Sequence, residues 1–305
     1  MRQLVVVVEY MYSILRVVNE NLYLVLIVLS ISFVSLFLYY IVNNTLMPKP
    51  PIVVVFDMDE TLGSFGQLGI LKDVIESYEG RPLSQDEFNS IIDKHPEFIR
   101  PGIIDILKFV VEQRKKRHCD YIMIYTNNQG PREWAQSISD YFSYKIGSPV
   151  FDHIVAAFMV NGHKVEPSRT SHEKIYNDFI RCARLPSTTE VCFIDDVEHP
   201  RMVHDNVYYV KIKPYNYRLP ISHCLERIYP SDNDKQLDCL SRAQERFHPY
   251  SLRGDEKTHE EQEVDEVIGK FMLKHMHNFF LGLKHTHGKT KRKSSYRSKR
   301  RTRHL

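Results

Sequence analysis

The stretch from Pro51 to Gly63, PIVVVFDMDETLG, restricts the possible folds of this chain more than any other. It begins with a β-branched apolar run at 52–56, which is just long enough for one buried strand. Asp57 and Asp59 follow directly, and Thr61 comes two positions later. In open parallel sheets the reactive groups lie just past the carboxyl ends of the strands. We therefore expect a parallel α/β sheet with a site at this point.

The two carboxylates predict a particular chemistry. Residues 57 and 59 of an extended segment point to the same side, so both side chains can converge on one ligand. Close carboxylates repel each other and raise a pKa, and a bound Mg²⁺ would relieve that repulsion. The stretch therefore indicates a metal-assisted carboxylate nucleophile with an acid/base partner beside it. The alternative is an Asp- and Thr-rich turn after a strand.

A membrane segment is predicted near the start of the chain. Leu22 to Val42 is a run of 21 residues without a charge, the length of a helix that spans a bilayer. A buried core helix is the alternative. A cleaved signal peptide fits less well, because the run is long for a signal core and no small-residue cleavage pattern follows. Residues 1–21 form a separate N-terminal segment, and Asn43 to Pro51 is a short, proline-bearing spacer.

The charge distribution separates a basic tail from the body. The segment 284–305 has ten Lys or Arg and no acid, which leaves 31 Lys or Arg against 38 Asp or Glu in the rest of the chain. Such a tail is disordered by default and can contact anionic lipid or nucleic acid.

The five cysteines point to a reducing compartment. Their number is odd and their spacing is not that of metal ligands. Cys119 and Cys192 lie in or beside apolar strand-like runs, so we expect these two to be buried thiols, and we place the body in the cytosol.

Strands and helices alternate along the body. We expect further strands at 120–125, 190–194 and 207–212, and helices at 70–78, 84–92, 103–113, 134–142 and 171–184. Asn161-Gly162 predicts a hairpin between 151–160 and 164–166. A helix at 222–229 and an ambiguous stretch at 231–258 follow. The periodicity at 260–283 predicts a helix that packs on the body, or alternatively lies on a membrane.

Polar residues follow two of the later strands. Thr126 and Asn127 come after the second strand, and Asp195 and Asp196 after the third. A parallel sheet brings these ends to one edge, beside Asp57.

In order and spacing, these motifs resemble the haloacid-dehalogenase superfamily of phosphohydrolases. FDMDETLG at 56–63 followed by FIRPG at 98–102 is similar to the FCP/SCP branch, the NLI-interacting-factor-like phosphatases that act on C-terminal-domain phosphoserines of RNA polymerase II. The resemblance covers about residues 50 to 215, within an expected phosphatase domain at 50–230, a helical extension at 231–283 and the tail. It implies a Rossmann-like sheet without a large cap domain.

The resemblance also implies a role for each motif. Asp57 would be the nucleophile and Asp59 the general acid and base. Thr61, Thr126 and Asn127 would form the phosphate-binding set: Thr126, with nearby backbone N–H groups, would hold phosphoryl oxygens, and Thr61 would steady the loop through a hydrogen bond. Mg²⁺ would be held by Asp57, Asp195 and the backbone carbonyl of Asp59.

Two supporting groups complete the implied site. Asp196 would orient the metal's ligands. A lysine would neutralise the phosphate, and we choose Lys174, placed on a helix, over Lys164 and Arg169.

The chain departs from the branch in two places. Asp195-Asp196-Val197 stands where the branch often has Asp-Asn-Ser, and the insertion at 66–99 is longer than the expected flap.

Three functions remain open from the sequence. The first is a membrane-anchored, Mg²⁺-dependent phosphoserine/phosphothreonine protein phosphatase. The second is a hydrolase of the same superfamily that acts on nucleic-acid ends or small phosphate esters. The third is a tethered, non-catalytic scaffold that binds phosphate.

Overall fold

The computed structural model describes residues 2–41, 49–255 and 257–287. The chain divides between Lys49 and Pro50 into two units. The predicted spacer at 43–51 and the predicted tail at 284–305 lie largely outside the described residues.

In the first unit the described residues 2–41 form one helix, α1 (Arg2–Ile41), of 40 residues. At about 1.5 Å per residue it is roughly twice as long as the hydrocarbon core of a bilayer is thick. Its segment Glu9–Tyr39 is long and apolar enough to cross a membrane, a property that signal sequences share. The helix runs without a break through the boundary expected at residues 21 and 22.

The second unit is a mixed α/β fold. Its strands are β1 (Ile52–Phe56), β2 (Tyr121–Tyr125), β3 (His153–Val155), β4 (Met159–Val160), β5 (His163–Lys164), β6 (Glu190–Asp195) and β7 (Val207–Lys211). Its helices are α2 (Gly66–Glu79), α3 (Gln85–Lys94), α4 (Ile103–Lys115), α5 (Arg132–Ile146), α6 (Tyr176–Cys182), α7 (Ile221–Ile228), α8 (Asn233–Arg246), α9 (Pro249–Leu252) and α10 (His259–His287).

A five-stranded sheet of order β3-β2-β1-β6-β7 forms the centre of this unit. Every neighbouring pair is parallel, which confirms the predicted parallel α/β sheet. Alternate residues of β1 face opposite sides: Val54 and Phe56 join one core cluster, and Val53 and Val55 join the other. Helices therefore cover both faces, as in three-layer α/β proteins.

The prediction that 151–160 forms one arm of a hairpin is wrong. Its first part, β3, is the edge strand of the sheet, and only β4 pairs with β5 across Asn161-Gly162. The predicted hairpin turn is confirmed, but the hairpin has two residues on each side.

The insertion at 66–99 folds against the body. Ser84 forms the predicted helix cap: its hydroxyl accepts from the backbone amide of Glu87, and the Glu87 carboxylate accepts from the backbone amide of Ser84. Helices α2 and α3 pack on α8 and α5. This segment is therefore part of the same core as the sheet.

The C-terminal helix α10 also packs on the body, against α4 and β7. Ile268, Met272 and Met276 on its inner face are buried. This confirms core packing over the membrane-surface alternative. The ambiguous stretch at 231–258 contains α8 and α9.

All five cysteines are buried free thiols, which confirms the prediction for Cys119 and Cys192.

Candidate functional site

Two adjacent strands deliver three carboxylates to one edge of the sheet. Strands β1 and β6 run parallel with Phe56 opposite Ile194. Asp57 follows β1, Asp195 is the last residue of β6, and Asp196 comes next. The strand order reverses between β1 and β6, and ligands of open α/β sheets bind at such a reversal.

These three acids form a compact, buried cluster. One carboxylate oxygen from each of Asp57, Asp195 and Asp196 lies within 4.8 Å of the others. All three side chains are buried. A set made only of carboxylate oxygens fits a hard cation such as Mg²⁺, Mn²⁺ or Ca²⁺. The residues present could therefore hold a metal ion.

Lys174 is the cation inside this cluster. Its ammonium donates to Asp195 Oδ2 at 2.7 Å and also to Asp57 Oδ1. Only 2% of the Lys174 side chain is exposed. The expected position on a helix is wrong, because α6 begins at Tyr176 and Lys174 lies in the segment before it.

Burial and charge act in opposite directions on these acids. Burial raises the pKa of Asp57 well above its usual range, against the lowering effect of Lys174. Burial likewise raises the pKa of Asp196, with the neighbouring charge of Asp195 adding to it. The pKa of Asp195 is lowered because Lys174 and His199 outweigh its burial. Bringing a further cation to Asp57 and Asp196 would favour their charged forms.

Asp59 lies beside the cluster with a partner of its own. Its Oδ2 accepts a bond from the Asn128 side-chain amide at 2.9 Å. Burial raises the pKa of Asp59, and the bond from Asn128 opposes this. The acid cluster contains Asp196, whereas the sequence predicted Asp59 as the third ligand, through its carbonyl. The side chain of Asp59 thus lies beside the triad and not inside it.

Thr61 is hydrogen-bonded to one of the clustered acids. Its hydroxyl donates to Asp196 Oδ1 at 3.0 Å, and the residue is fully buried. The hydroxyl predicted to steady the loop and bind phosphate is thus bonded to an acid, Asp196, and is closed off from solvent.

Arg100 fixes the loop that carries these residues. Its buried guanidinium donates to the carbonyls of Thr61 at 2.7 Å, Lys213 at 2.9 Å and Glu60. Glu60 has a positive φ of 54°, a strained conformation for a residue with a side chain. Burial near Asp59 raises the pKa of Glu60 to about 7. Arg100 lies within FIRPG, and no pattern in the sequence predicts this role for it.

The loop that begins at Asp57 ends at Gly63, a position that has room only for glycine. A Cβ at this position would lie 2.4 Å from the carbonyl oxygen of Phe98. The Ser64 amide donates to that same oxygen at 2.7 Å. This close approach joins the loop to the FIRPG segment.

The loop after β2 is organised by Arg169. This buried guanidinium donates to the carbonyls of Thr126 at 3.0 Å and Ala156 at 2.8 Å, and to Asn127 Oδ1 at 2.7 Å. It also reaches the His172 carbonyl at 3.1 Å, close to Lys174. Arg169 is therefore occupied by protein acceptors and is not an available phosphate ligand.

The residues predicted to bind phosphate do not all lie at the acid cluster. Thr126 lies at the end of β2, where its hydroxyl accepts from the Asn128 amide at 2.9 Å. Asn127 bonds Arg169, so its neighbour Asn128 is the asparagine that contacts an acid. Lys164 is exposed on β5, with its ammonium over the Phe158 ring.

His199 is a further neighbour that sequence reasoning missed. Its Nε2 lies 3.4 Å from Asp195 Oδ2, and the side chain is 9% exposed. The position four residues after Asp195 offered no periodic or spacing signal. Tyr209 closes the same loop by donating to the Val197 carbonyl at 2.8 Å and accepting from the His199 amide at 2.9 Å.

Comparison with known proteins adds nothing to this geometry: no model of a known protein family and no curated protein sequence matches the chain. The haloacid-dehalogenase resemblance therefore stays a prediction from the motifs.

Proposed function

We propose that this protein is a membrane-anchored, Mg²⁺-dependent phosphatase of the haloacid-dehalogenase type, of the FCP/SCP-like branch. Its substrates are phosphoserine or phosphothreonine in proteins. One observation carries the proposal: Asp57, Asp195, Asp196 and Lys174 converge at the carboxyl edge of the sheet, with Asp59 two residues beyond Asp57. Such a set can supply a nucleophile, a metal site and an acid together.

The first half of the reaction uses Asp57 and Asp59. A carboxylate oxygen of Asp57 attacks phosphorus, a bond forms between them, and the bond from phosphorus to the serine oxygen breaks. Asp59 gives its proton to the departing oxygen. The burial that raises the pKa of Asp59 supports this role, because it favours the protonated form that acts as an acid.

The second half restores the enzyme. Asp59, now a carboxylate, takes a proton from water as the water oxygen attacks the phosphorus bound to Asp57. The bond from phosphorus to the Asp57 oxygen breaks and inorganic phosphate leaves. Lys174 supplies positive charge next to the reacting oxygen of Asp57 throughout.

Asp57, Asp195 and Asp196 would hold Mg²⁺. When bound, the ion offsets charge on the phosphoryl oxygens and orients the phosphate against Asp57. The chemistry of the donor set supports this choice, because Mg²⁺ takes oxygen ligands and carboxylates in particular.

The anchor and the compartment belong to the same proposal. Helix α1 would cross the membrane once and leave the second unit in the cytosol, where buried free thiols such as Cys119 and Cys192 persist. The basic segment after α10 would contact anionic lipid or nucleic acid.

The test is hydrolysis by the full-length protein in detergent with Mg²⁺. The substrates are a phosphoserine peptide, a 3′-phosphorylated oligonucleotide and an aryl phosphate, each beside the Asp57→Asn protein. We expect peptide turnover that Asp57→Asn abolishes. Turnover that survives Asp57→Asn would refute the mechanism, and turnover of the oligonucleotide alone would favour the nucleic-acid alternative. If the protein binds the phosphopeptide but hydrolyses none of the three substrates, the scaffold alternative is favoured.

A matched acid variant sharpens the same assay. Asp59→Asn keeps the size of the side chain and removes its proton. We expect this variant to lose more rate on a serine phosphate than on an aryl phosphate, because an aryl oxide leaves without protonation. Equal losses on both substrates would contradict the general-acid role.

A further inference from the structure

The C-terminal helix α10 comes into backbone contact with the FIRPG segment at 98–102. A Cβ on Gly269 of this helix would lie 2.5 Å from the carbonyl oxygen of Pro101, and a Cβ on Gly102 would lie 3.5 Å from the Cα of Gly269. The helix can approach this closely because Gly269 has no side chain. Arg100, which fixes the loop after β1 (57–63), directly precedes Pro101, so α10 lies against the segment that carries this arginine.

The same helix brings a buried carboxylate to this contact. Asp265 lies one turn before Gly269 on α10 and is 5% exposed. Its Oδ2 accepts from the Lys257 ammonium, which lies over the Tyr215 ring at 4.3 Å from the ring centre. The Arg100 guanidinium lies over the same ring at 5.3 Å. One contiguous cluster therefore joins the acid on α10 to the arginine that fixes the loop after β1.

Arg100 requires an opposite charge inside the protein. It is 1% exposed, and its side-chain hydrogen bonds go to three carbonyls, which carry no formal charge. Its Nη1 is buried and has no hydrogen-bond partner among the described residues. Burial lowers the pKa of Arg100 to about 10, and the charge of Asp265 is the largest influence that opposes this. Because a buried cation is costly without an opposite charge, Asp265 stabilises Arg100 where it lies.

Arg100 and Tyr215 hold the same carbonyl of the loop after β1. The Arg100 guanidinium and the Tyr215 backbone amide both donate to the carbonyl oxygen of Glu60, the amide at 2.8 Å. Glu60 has a positive φ of 54°, a conformation that persists only where its surroundings impose it. Since Glu60 follows Asp59 directly, a shift of this carbonyl would move the proposed acid.

We propose that Asp265, held against the body by the contact at Gly269, is a positioning residue that keeps Arg100 and the loop after β1 in the geometry that catalysis needs. The inference rests on the proposed function and deepens it, because it adds the C-terminal helix to the support of the active site. Asp265 is not a member of the acid cluster, so it acts through Arg100. The motifs that suggest the activity all lie before residue 215, and none of them predicts this role.

The first experiment reports where Asp59 is held. The full-length wild type and Asp265→Asn are assayed with Mg²⁺ on a phosphoserine peptide and on an aryl phosphate. A displaced acid slows the loss of a serine oxygen more than that of an aryl oxide, which leaves without protonation. We expect Asp265→Asn to lower kcat/KM about tenfold more for the peptide than for the aryl phosphate, since small displacements of a catalytic group are costly. Equal losses on both substrates would overturn the proposal.

Two glycines of α10 test the contact without a change of charge. Gly269→Ala places a methyl group against the Pro101 carbonyl, whereas a Cβ at Gly282 meets nothing within 4 Å. Both substitutions favour the helix alike, so their difference isolates the contact. We expect Gly269→Ala to reproduce the altered peptide-to-aryl ratio, while Gly282→Ala and the exposed Glu266→Gln keep the wild-type ratio. The ratio is read within each protein, so a general loss of activity does not imitate the result. Thermal unfolding checks each variant, and a wild-type ratio in folded Gly269→Ala would overturn the proposal.

Hydrogen exchange tests the positioning role without any activity. The peptide 57–64 reports the loop, because three of its backbone amides are hydrogen-bonded across the loop or to the FIRPG segment. We expect Asp265→Asn to speed exchange in this peptide about tenfold relative to β6, which opens only with the whole domain. Glu266→Gln should leave both unchanged.

An alternative role for Asp265 gives a different exchange pattern. If the residue only fastens α10 to the body, Asp265→Asn speeds exchange in α10 and leaves the peptide 57–64 unchanged, and that result would overturn the proposal. If no substrate shows Asp57-dependent turnover, the proposed function fails, yet the exchange measurement still decides whether Asp265 holds the loop.

Discussion

The ammonium of Lys174 donates to Asp195 Oδ2 at 2.7 Å in the interior of the protein. The same ammonium contacts Asp57, so one cation serves two of three clustered carboxylates. Lys174 therefore has a structural role before any ligand binds, because isolated buried carboxylates are costly.

Replacing Lys174 tests both roles. We expect Lys174→Met to lower the free energy of unfolding by about 3–5 kcal/mol, since it leaves buried acids without their partner. We expect phosphatase activity to fall about a hundredfold or more, as when one stabilising donor is lost. The exposed Lys164→Met is the matched control and should change unfolding by less than about 0.5 kcal/mol. Similar effects of the two substitutions on activity would contradict the choice of Lys174.

Metal binding has a readout that does not need activity. A ligand that binds only the folded state stabilises it, by about 2.7 kcal/mol at a hundred times its Kd. We expect Mg²⁺ to raise the unfolding temperature of the wild type and EDTA to reverse the rise. Asp196→Asn should remove most of the rise, although an asparagine oxygen can still accept from Thr61. Glu198→Gln, at an exposed acid in the same loop, should keep it, and a rise retained by Asp196→Asn would contradict this site.

Arg169 is expected to act through position. Arg169→Met removes donors to Thr126, Ala156, Asn127 and His172 at once. Several buried acceptors then lose their partner, at about 1–3 kcal/mol each where no water replaces it. Of the three candidate cations, we expect Arg169 to give the largest loss of unfolding free energy when it is replaced by Met. The stability of Arg169→Lys should lie between that of Arg169→Met and that of the wild type.

The control for Arg169 is an arginine on the surface. Arg201 lies 3.7 Å from Glu173 with 59% of its side chain exposed. Arg201→Met should change the free energy of unfolding by less than about 0.5 kcal/mol, because exposed ion pairs contribute little. A small effect of Arg169→Met, like that of Arg201→Met, would mean that the loop after β2 does not depend on Arg169.

The sequence predicted those parts of the fold that local patterns determine. The run at 52–56 is uniformly apolar and is a strand buried on both faces. Ser84 and Glu87 form the capping box that their spacing indicates. Asp57 and Asp195 converge because the parallel strands that precede them end at the same edge of the sheet. The periodicity and the order of the elements along the sequence are enough to predict this convergence.

Contacts between residues distant in sequence determine the features that local sequence patterns do not predict. The sequence pattern predicts Lys174 on a helix, yet Asp178 accepts from the Thr170 amide at 2.7 Å, and Ile175 is extended. These features hold 170–175 outside α6 and let Lys174 reach the acids. The choice between Asn127 and Asn128 also depends on partners distant in sequence, Arg169 and Asp59. Helix α8 was ambiguous because its buried residues include only the small Cys239 and Ala243, a weak periodic signal.

His95 should make stability depend on pH. The residue is fully buried, and its Nδ1 lies 2.7 Å from the Ile91 carbonyl. Burial lowers its pKa, with the charge of Arg227 adding to this and Glu97 opposing it. In the unfolded chain a histidine titrates near pH 6.5. Between the lowered folded pKa and about 6.5 the unfolded state binds more protons, so stability rises with pH in this window.

The measurement is urea unfolding of the wild type and His95→Gln from pH 5 to pH 8. The stabilisation by neutral His95 is complete above about pH 6.5 and is lost as the pH falls, by up to about 1.4 kcal/mol per pH unit. The difference between the two proteins at pH 8 gives the packing and hydrogen-bond contribution. We expect that difference to shrink toward pH 5, and a constant difference would show that His95 does not titrate on unfolding.

The packing of α10 gives the last prediction. Met272 is fully buried on its inner face, whereas Val267 is 55% exposed on the same helix. Met272→Ala leaves a cavity and should cost about 2–5 kcal/mol of unfolding free energy. Val267→Ala should cost less than about 0.5 kcal/mol. If α10 instead lay on a membrane, the two substitutions would have similar, small effects in detergent, and both would weaken binding to anionic vesicles. Because α10 packs on α4 and β7, we expect the Met272 effect to persist unchanged when lipid is absent.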